Sequence, residues 1–267
     1  MTRRPAALIL ALSLVCVSCG APLLKLPSGP GASAPDGPQA MQDATAACRR
    51  VASLTLEISV AGSVAGRRVR GRLLAGLARA DSIRLEAVAP FGQPVFILTS
   101  EGAEATLLLP RDNRVLEHGR PDAVLEAVTG VPLEAPALFT IVTGCSTSPP
   151  SDSARAYGED WRVMAAGPDE VYLNREKAGP WRVAAMERRP GGNGWRAEYR
   201  NFTDGLARAI RLVSTSRGAF DLQLGLSQVE LNPALGREVF RVEIPASATS
   251  ITLDELKASG PLGTNGR

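Results

Sequence analysis

From Leu54 onward the sequence alternates between apolar and polar residues, and this alternation restricts most of the chain to β-strands. Apolar side chains at residues 54, 56, 58 and 60 are separated by Thr55, Glu57 and Ser59. Such a period of two is typical of a strand with one buried and one solvated face. Comparable segments return at short intervals up to residues 238–245, which read as the last strand. We therefore predict a mainly β protein.

Short turn segments separate about eleven such strands, so consecutive strands should pair antiparallel. That number is large for one flat sheet, which favours curling or closure. The fold prediction is a curved antiparallel sheet or an unclosed β-barrel. Ahead of it, Met41, Ala44, Cys48 and Val51 recur at helical spacing and predict a short N-terminal helix.

The alternation stops near Arg120, where a helical segment interrupts the strands. In "GRPDAVLEAVTG", Pro121 suits a first helical turn and Gly130 suits a C-terminal cap. The next segment, "VPLEAPALFTIVTGC", is largely apolar but too short to span a bilayer. Two short helices that form a lid over one face of the sheet are predicted here.

The first twenty residues have the pattern of an export signal. Arg3 and Arg4 precede an apolar run that ends at Val17. The following "CVSCG" resembles a bacterial lipobox, in which Cys19 is lipidated, although Cys16 stands where Leu is usual. Gly20 after it resembles the outer-membrane class. An ordinary secretory signal or an uncleaved anchor are the alternatives.

These patterns divide the chain into four parts. We predict a lipoprotein signal peptide at 1–18 and a lipidated tether at 19–37, which is rich in Pro, Gly, Ala and Ser. The folded β domain is predicted at 38–258 and a disordered tail at 259–267. Cys48 and Cys145 could form a disulfide or remain two buried thiols, because spacing alone does not decide.

The sequence contains few groups suited to catalysis or metal binding. His118 is the only histidine and has no partner at metal-ligand spacing. Ser146 and Ser148 lack the setting of a nucleophile elbow. With a formal net charge of +3, a nucleic-acid partner is not indicated. We expect a protein that is not an enzyme and that uses no cofactor or metal.

One basic segment stands out, "GRRVRGR". Its four arginines are Arg67, Arg68, Arg70 and Arg72. They mostly alternate with smaller residues along a strand, which favours a solvated sheet face. Contact with anionic lipid head groups is the alternative.

The order of these features resembles the LolB-like lipoproteins of the LolA/LolB-like lipoprotein localisation factor superfamily. Lipobox, helix, long strands, a "PFG" hairpin and the helical insert follow one another, best over 54–144. The resemblance implies an unclosed barrel with an apolar cavity for acyl chains, anchored by lipid to the periplasmic face of the outer membrane. It implies receipt or insertion of lipoproteins brought by a periplasmic LolA-like carrier. A lipid-binding or structural envelope-assembly lipoprotein without transfer is the alternative.

The resemblance also implies residue roles. Phe91 of "PFG" stands where such proteins carry an exposed Leu, which implies a membrane-contacting tip; burial under the helical insert is the alternative. Alternating positions supply the expected lipid-cavity lining: Leu54, Leu56, Ile58, Leu85, Val95, Ile97 and Leu107, with Leu138 and Phe139 in the lid.

Overall fold

The computed structural model describes residues 22–79, 81–89, 93–188, 194–216 and 219–259. Over these residues the chain forms one sheet of fifteen strands and four short α-helices. No helix in these ranges is both long and apolar enough to cross a membrane.

The strands and helices follow one another along the chain in three groups. The first group is β1 (Ala32–Ser33), α1 (Gly37–Thr45), β2 (Ser53–Val64), β3 (Arg67–Ala78), β4 (Ser82–Val88), β5 (Ile97–Glu101), β6 (Glu104–Leu109) and β7 (Arg114–Gly119). The second is the helical pair α2 (Pro121–Thr129) and α3 (Ala135–Thr143). The third is β8 (Pro150–Tyr157), β9 (Trp161–Ala166), β10 (Asp169–Asn174), β11 (Arg182–Arg188), β12 (Trp195–Thr203), β13 (Leu206–Ser214), β14 (Phe220–Leu231), β15 (Thr249–Ser250) and α4 (Leu253–Ser259).

The sheet consists of two meanders that meet in its middle. Strands β2 to β7 run in sequence order to one edge, and β8 to β14 run from the other edge back to the centre, where β14 pairs with β2. All these pairings are antiparallel, and only the short β15 joins β7 in parallel. The described edge strands β1 and β15 do not pair with each other, so the sheet is unclosed, as predicted.

The predicted number of strands was too low, and one predicted strand was wrong. Strand β8 contains the polar stretch "PSDSA", which reads as a loop, and β7 has only a short apolar run. Residues 238–245 contain no strand; a 3₁₀ turn covers Arg237–Phe240. Strand-like composition at 238–245 was therefore misleading, because no neighbouring strand completes a ladder there.

The core lies on the concave face of the sheet. Leu54, Leu56 and Ile58 of β2 are each at most 4% exposed, while Thr55 and Glu57 alternate with them on the other face. This arrangement follows from the period of two, because successive side chains point to opposite faces of a strand. Helix α1 covers the inner face of β8 to β11.

The chain crosses from one edge of the sheet to the other through α2 and α3. Strand β7 and strand β8 lie near opposite edges, and the helical pair is their connection. Helix α2 packs against β6 and α4, and α3 packs against β13. The helical pair therefore bridges the opening of the sheet and closes it from the concave side.

Residues 22–31, which we call the strap, lie on the convex face of the sheet. The backbone N–H of Leu24 donates to Glu198 Oε1 at 2.9 Å, and the Arg200 guanidinium donates to the carbonyl of Pro22 at 3.1 Å. Further along, the Tyr157 hydroxyl donates to the carbonyl of Gly29 at 2.7 Å. This part of the predicted tether is thus held against the domain rather than projecting from it.

Candidate functional site

The concave face brings together most of the residues predicted to line a lipid cavity. Val95 and Leu138 are half-buried against the main core. The other members of the predicted set that lie in this core are Leu54, Leu56, Ile58, Leu85, Leu107 and Phe139. A single apolar region under the lid therefore includes residues from β2, β4, β6 and α3.

Ile97 does not belong to this group. In the ladder between β4 and β5, Leu98 lies opposite Leu85, whereas Ile97 lies opposite Glu86. Directly opposed residues share a face, so Ile97 lies on the convex side with Glu86. The prediction that Ile97 faces inward is wrong by one position, and Leu98, 3% exposed, takes that place.

The lid consists of α2, the loop 130–134 and α3. Both helices begin with Pro in their first turn and end at a left-handed glycine, Gly130 with φ 71° and Gly144 with φ 70°. Residues other than glycine rarely adopt this conformation, which explains why the helices stop there. The inward side chains Val124, Val128 and Ile141 have no exposed surface.

Two small cavities border this apolar region. A cavity of about 20 Å³ lies beside Met41, Cys145 and Met186, and another of about 10 Å³ lies under α2 beside Leu98 and Leu125. Each has room for about one water molecule. Neither cavity is large enough to hold an acyl chain.

Two buried hydroxyl groups lie in this apolar region, and neither was identified from the sequence. Ser100 Oγ beneath α2 and the Tyr199 hydroxyl have no hydrogen-bond partner among the described residues. Burial raises the pKa of Tyr199 above its ordinary range. An ester or amide carbonyl that entered the interior could accept a hydrogen bond from either group. A serine or tyrosine at an alternating position gives no sequence signal of this kind.

A disulfide between Cys48 and Cys145 fixes one end of the lid. The two Cα atoms are 5.8 Å apart, and Cys145 follows α3 directly after its glycine cap. Cys48 opens the 3₁₀ turn Cys48–Arg50 that follows α1. The C-terminal end of α3 is thus joined covalently to the N-terminal helix, a pairing that the sequence left undecided.

Two predicted residues, Cys19 and Phe91, lie outside the described residues. The described arms on either side of Phe91 are paired, since the N–H of Ala87 donates to Phe96 and the N–H of Val95 donates to Ala87, both at 3.0 Å. The lipidation and membrane-tip assignments therefore stay predictions.

The single histidine takes part in an exposed ion pair. His118 Nδ1 lies 3.1 Å from Glu104 Oε2, and this carboxylate raises the pKa of His118. Within the described part of the chain, no group of three or more His, Cys, Asp or Glu residues could hold a metal ion.

Comparison with solved structures finds proteins of similar fold. A LolA superfamily protein from Nitrosomonas europaea superposes with a TM-score of 0.53 at 9% sequence identity, covering 77% of this chain and 97% of that chain. The chain has the LolA-like fold. At a sequence identity of 9%, this similarity establishes the fold and nothing about function.

Two further structures show weaker likeness to this LolA-like chain. An outer-membrane lipoprotein-sorting domain from Vibrio parahaemolyticus gives a TM-score of 0.48 at 12% identity, covering 77% of this chain and 96% of that chain. A DUF1329 family protein from Desulfovibrio piger gives 0.47 at 8% identity, with 77% and 95% covered. No family model matches the sequence, and curated protein sequences give no significant match.

Proposed function

We propose that this protein is a lipid-anchored lipoprotein on the periplasmic face of the outer membrane. It binds acyl chains between the sheet and the lid, and it helps to receive or insert lipoproteins delivered by a periplasmic LolA-like carrier. The observation that carries the proposal is the apolar lid, which bridges the opening of an unclosed LolA-like sheet. The lipobox-like segment ending at Cys19 supports the anchor.

Binding of an acyl chain would supply free energy toward movement of the lid. Burying one methylene contributes about 0.8 kcal/mol, so a chain of about sixteen carbons gains roughly 12 kcal/mol. That gain can offset the loss of contacts between the lid and the sheet. The disulfide at Cys145 keeps the end of α3 in place, so opening would involve α2, the loop 130–134 and the start of α3.

Loosening the lid should therefore strengthen acyl binding. Val128 on α2 has no exposed surface, and Val128→Ala should remove about 1–2 kcal/mol of packing from the closed state. A ligand that binds the open state gains affinity as that state becomes more populated, by about tenfold for each 1.4 kcal/mol. Titration of the purified protein with a fluorescent fatty acid measures this change.

Val163→Ala is the matched control for this experiment. Val163 is 1% exposed but belongs to the separate convex cluster with Tyr172 and Ala185. It should destabilise the domain by a similar amount without changing acyl affinity. Equal affinities for the wild type and Val128→Ala, or an equal gain in both variants, would contradict binding beneath the lid.

Phe91 is proposed to touch the membrane during lipid transfer. Phe91→Glu should then reduce liposome contact and lipoprotein delivery while the melting temperature stays close to that of the wild type. Phe96→Glu is the control, because Phe96 is 3% exposed and a charge there should destabilise the domain. A large fall in melting temperature for Phe91→Glu would identify Phe91 as a core residue and remove the tip assignment.

A second candidate function is a structural or lipid-binding role in envelope assembly without lipoprotein transfer. The size of the two described cavities favours it, because volumes of about 20 and 10 Å³ hold no acyl chain. Native mass spectrometry of the purified protein separates the two. Bound acyl lipid that passes to acceptor vesicles supports transfer, whereas a lipid-free protein that takes up no acyl chain supports the structural role.

A further inference from the structure

The convex face of β3 carries a row of three exposed arginines, Arg68, Arg70 and Arg72, which we call the arginine row. They occupy alternate positions, so their Cα atoms are about 6.7 Å apart along the strand and share one face. On the neighbouring strand β2 the directly opposed residues are Ser63, Ala61 and Ser59. The row therefore has no acidic residue opposite it.

The arginine row is nearly uncompensated. In the described ranges, neither Arg68 nor Arg70 forms an ion pair, and Arg72 has a 3.7 Å contact with Glu57 while 56% of its side chain is exposed. Strand β4 pairs with β3 only from Arg72 onward, so no described strand flanks Arg68 and Arg70 on that side. These guanidinium groups are open to a ligand that approaches the convex face.

The strap lies on this same face. Cross-strand pairing runs from Arg70 through Ala61, Gln223 and Arg211 to Glu198, the residue that accepts the Leu24 N–H. Directly opposed residues point to the same side of a sheet, so the arginine row and the strap share the convex face. Four interstrand steps of about 4.8 Å place them roughly 19 Å apart along the curved sheet.

The proposed lipidation site, Cys19, is close in sequence to this surface. Cys19 precedes Pro22 by three residues, and Pro22 is bonded to Arg200 on the convex face. Three residues span at most about 10 Å. A lipid on Cys19 would therefore hold this face, rather than the lid, near the bilayer.

We propose that the convex face is turned toward the membrane and that the arginine row binds anionic phospholipid head groups. The orientation rests on the proposed lipid anchor at Cys19. Guanidinium groups suit this role because their planar N–H donors match phosphate oxygens in a bidentate manner. The row lies on the opposite face of the sheet from the acyl site proposed beneath the lid, because Val69 and Leu73 of β3 pack against the core.

Hydrogen exchange in nanodiscs tests this orientation. The full-length lipidated protein is reconstituted in discs of phosphatidylcholine alone or with phosphatidylglycerol. We expect slower amide exchange in residues 66–73 only in the phosphatidylglycerol discs. Arg68→Gln/Arg70→Gln/Arg72→Gln should abolish the slowing, whereas Arg49→Gln/Arg50→Gln/Arg241→Gln, which removes three exposed charges elsewhere, should retain it.

Exchange that is equal in the two kinds of disc, or slowing that survives in the arginine-row variant, would overturn the proposal. A separate comparison shows whether Cys19 carries the lipid anchor. Without such an anchor, the wild type and Cys19→Ala would associate with the discs to the same extent. In that case co-sedimentation with phosphatidylglycerol vesicles still tests the row. Binding lost in the arginine-row variant but kept in the control supports it, and equal binding overturns it.

Discussion

Replacing Cys48 and Cys145 by serine is expected to lower the free energy of unfolding by about 3–5 kcal/mol. The disulfide joins residues separated by 97 positions, and closing a loop of that length strongly restricts the unfolded chain. Both cysteines are buried, at 3% and 6% exposure, so each is also surrounded by packed neighbours. The loss should be large because the bond ties α3 of the lid to the segment after α1.

Guanidinium denaturation with and without a reducing agent measures this effect. The wild type in reductant should approach the stability of the double serine variant, and the variant itself should not respond to reductant. Unchanged stability of both proteins under reducing conditions would show that the bond does not constrain the fold. An oxidising compartment, as expected for the periplasm, is where such a bond persists.

Glu198→Gln is expected to lower the free energy of unfolding by about 3–5 kcal/mol and to release the strap. The Glu198 side chain has no exposed surface, yet it ion-pairs with Arg196 at 2.5 Å and Arg200 at 3.2 Å and accepts the Leu24 N–H. Removing the charge of Glu198 takes this partner from Arg200 and leaves Arg196 with Glu187 at 3.5 Å, so the cluster loses its buried carboxylate. The same two arginines donate to the carbonyls of Leu24 and Pro22, so the strap depends on the same cluster.

Denaturation and limited proteolysis together test this expectation. Cleavage within residues 22–31 should become faster in Glu198→Gln than in the wild type. Glu104→Gln is the matched control, because Glu104 pairs with His118 at an exposed site, where an ion pair contributes little. If Glu198→Gln and Glu104→Gln behaved alike, the strap would be held by other contacts.

Local sequence patterns predicted the elements whose structure depends on neighbouring residues in the chain. The alternation in β2 and the proline and glycine positions around α2 define a strand and a helix without reference to distant residues. The strap was missed because its composition is that of a linker, and its partner Glu198 is 174 positions from Leu24. Ile97 was misplaced because the register of β5 depends on β4, which its own apolar run does not reveal.

The sequence also could not predict how closely the lid packs against the sheet. Alternation predicts which residues face inward, but the volume between them depends on how closely α2 and α3 approach the sheet. Val128 and Ile141 are fully buried, and the cavity described under α2 measures about 10 Å³. The same residues could line a larger space if the lid moved, and no local pattern distinguishes the two states.

The pairing of β14 with β2 joins the two meanders and can form only when both strands are available. Each meander pairs neighbours in sequence, but the joint between them connects Phe220 with Val64 and Leu231 with Leu54. Contacts this distant in sequence form slowly. Until residue 220 is available, the twelve-residue strand β2 has one unpaired edge in the middle of the future sheet. Such an edge invites pairing with another chain, so the chain is most exposed to misassembly until β14 covers β2.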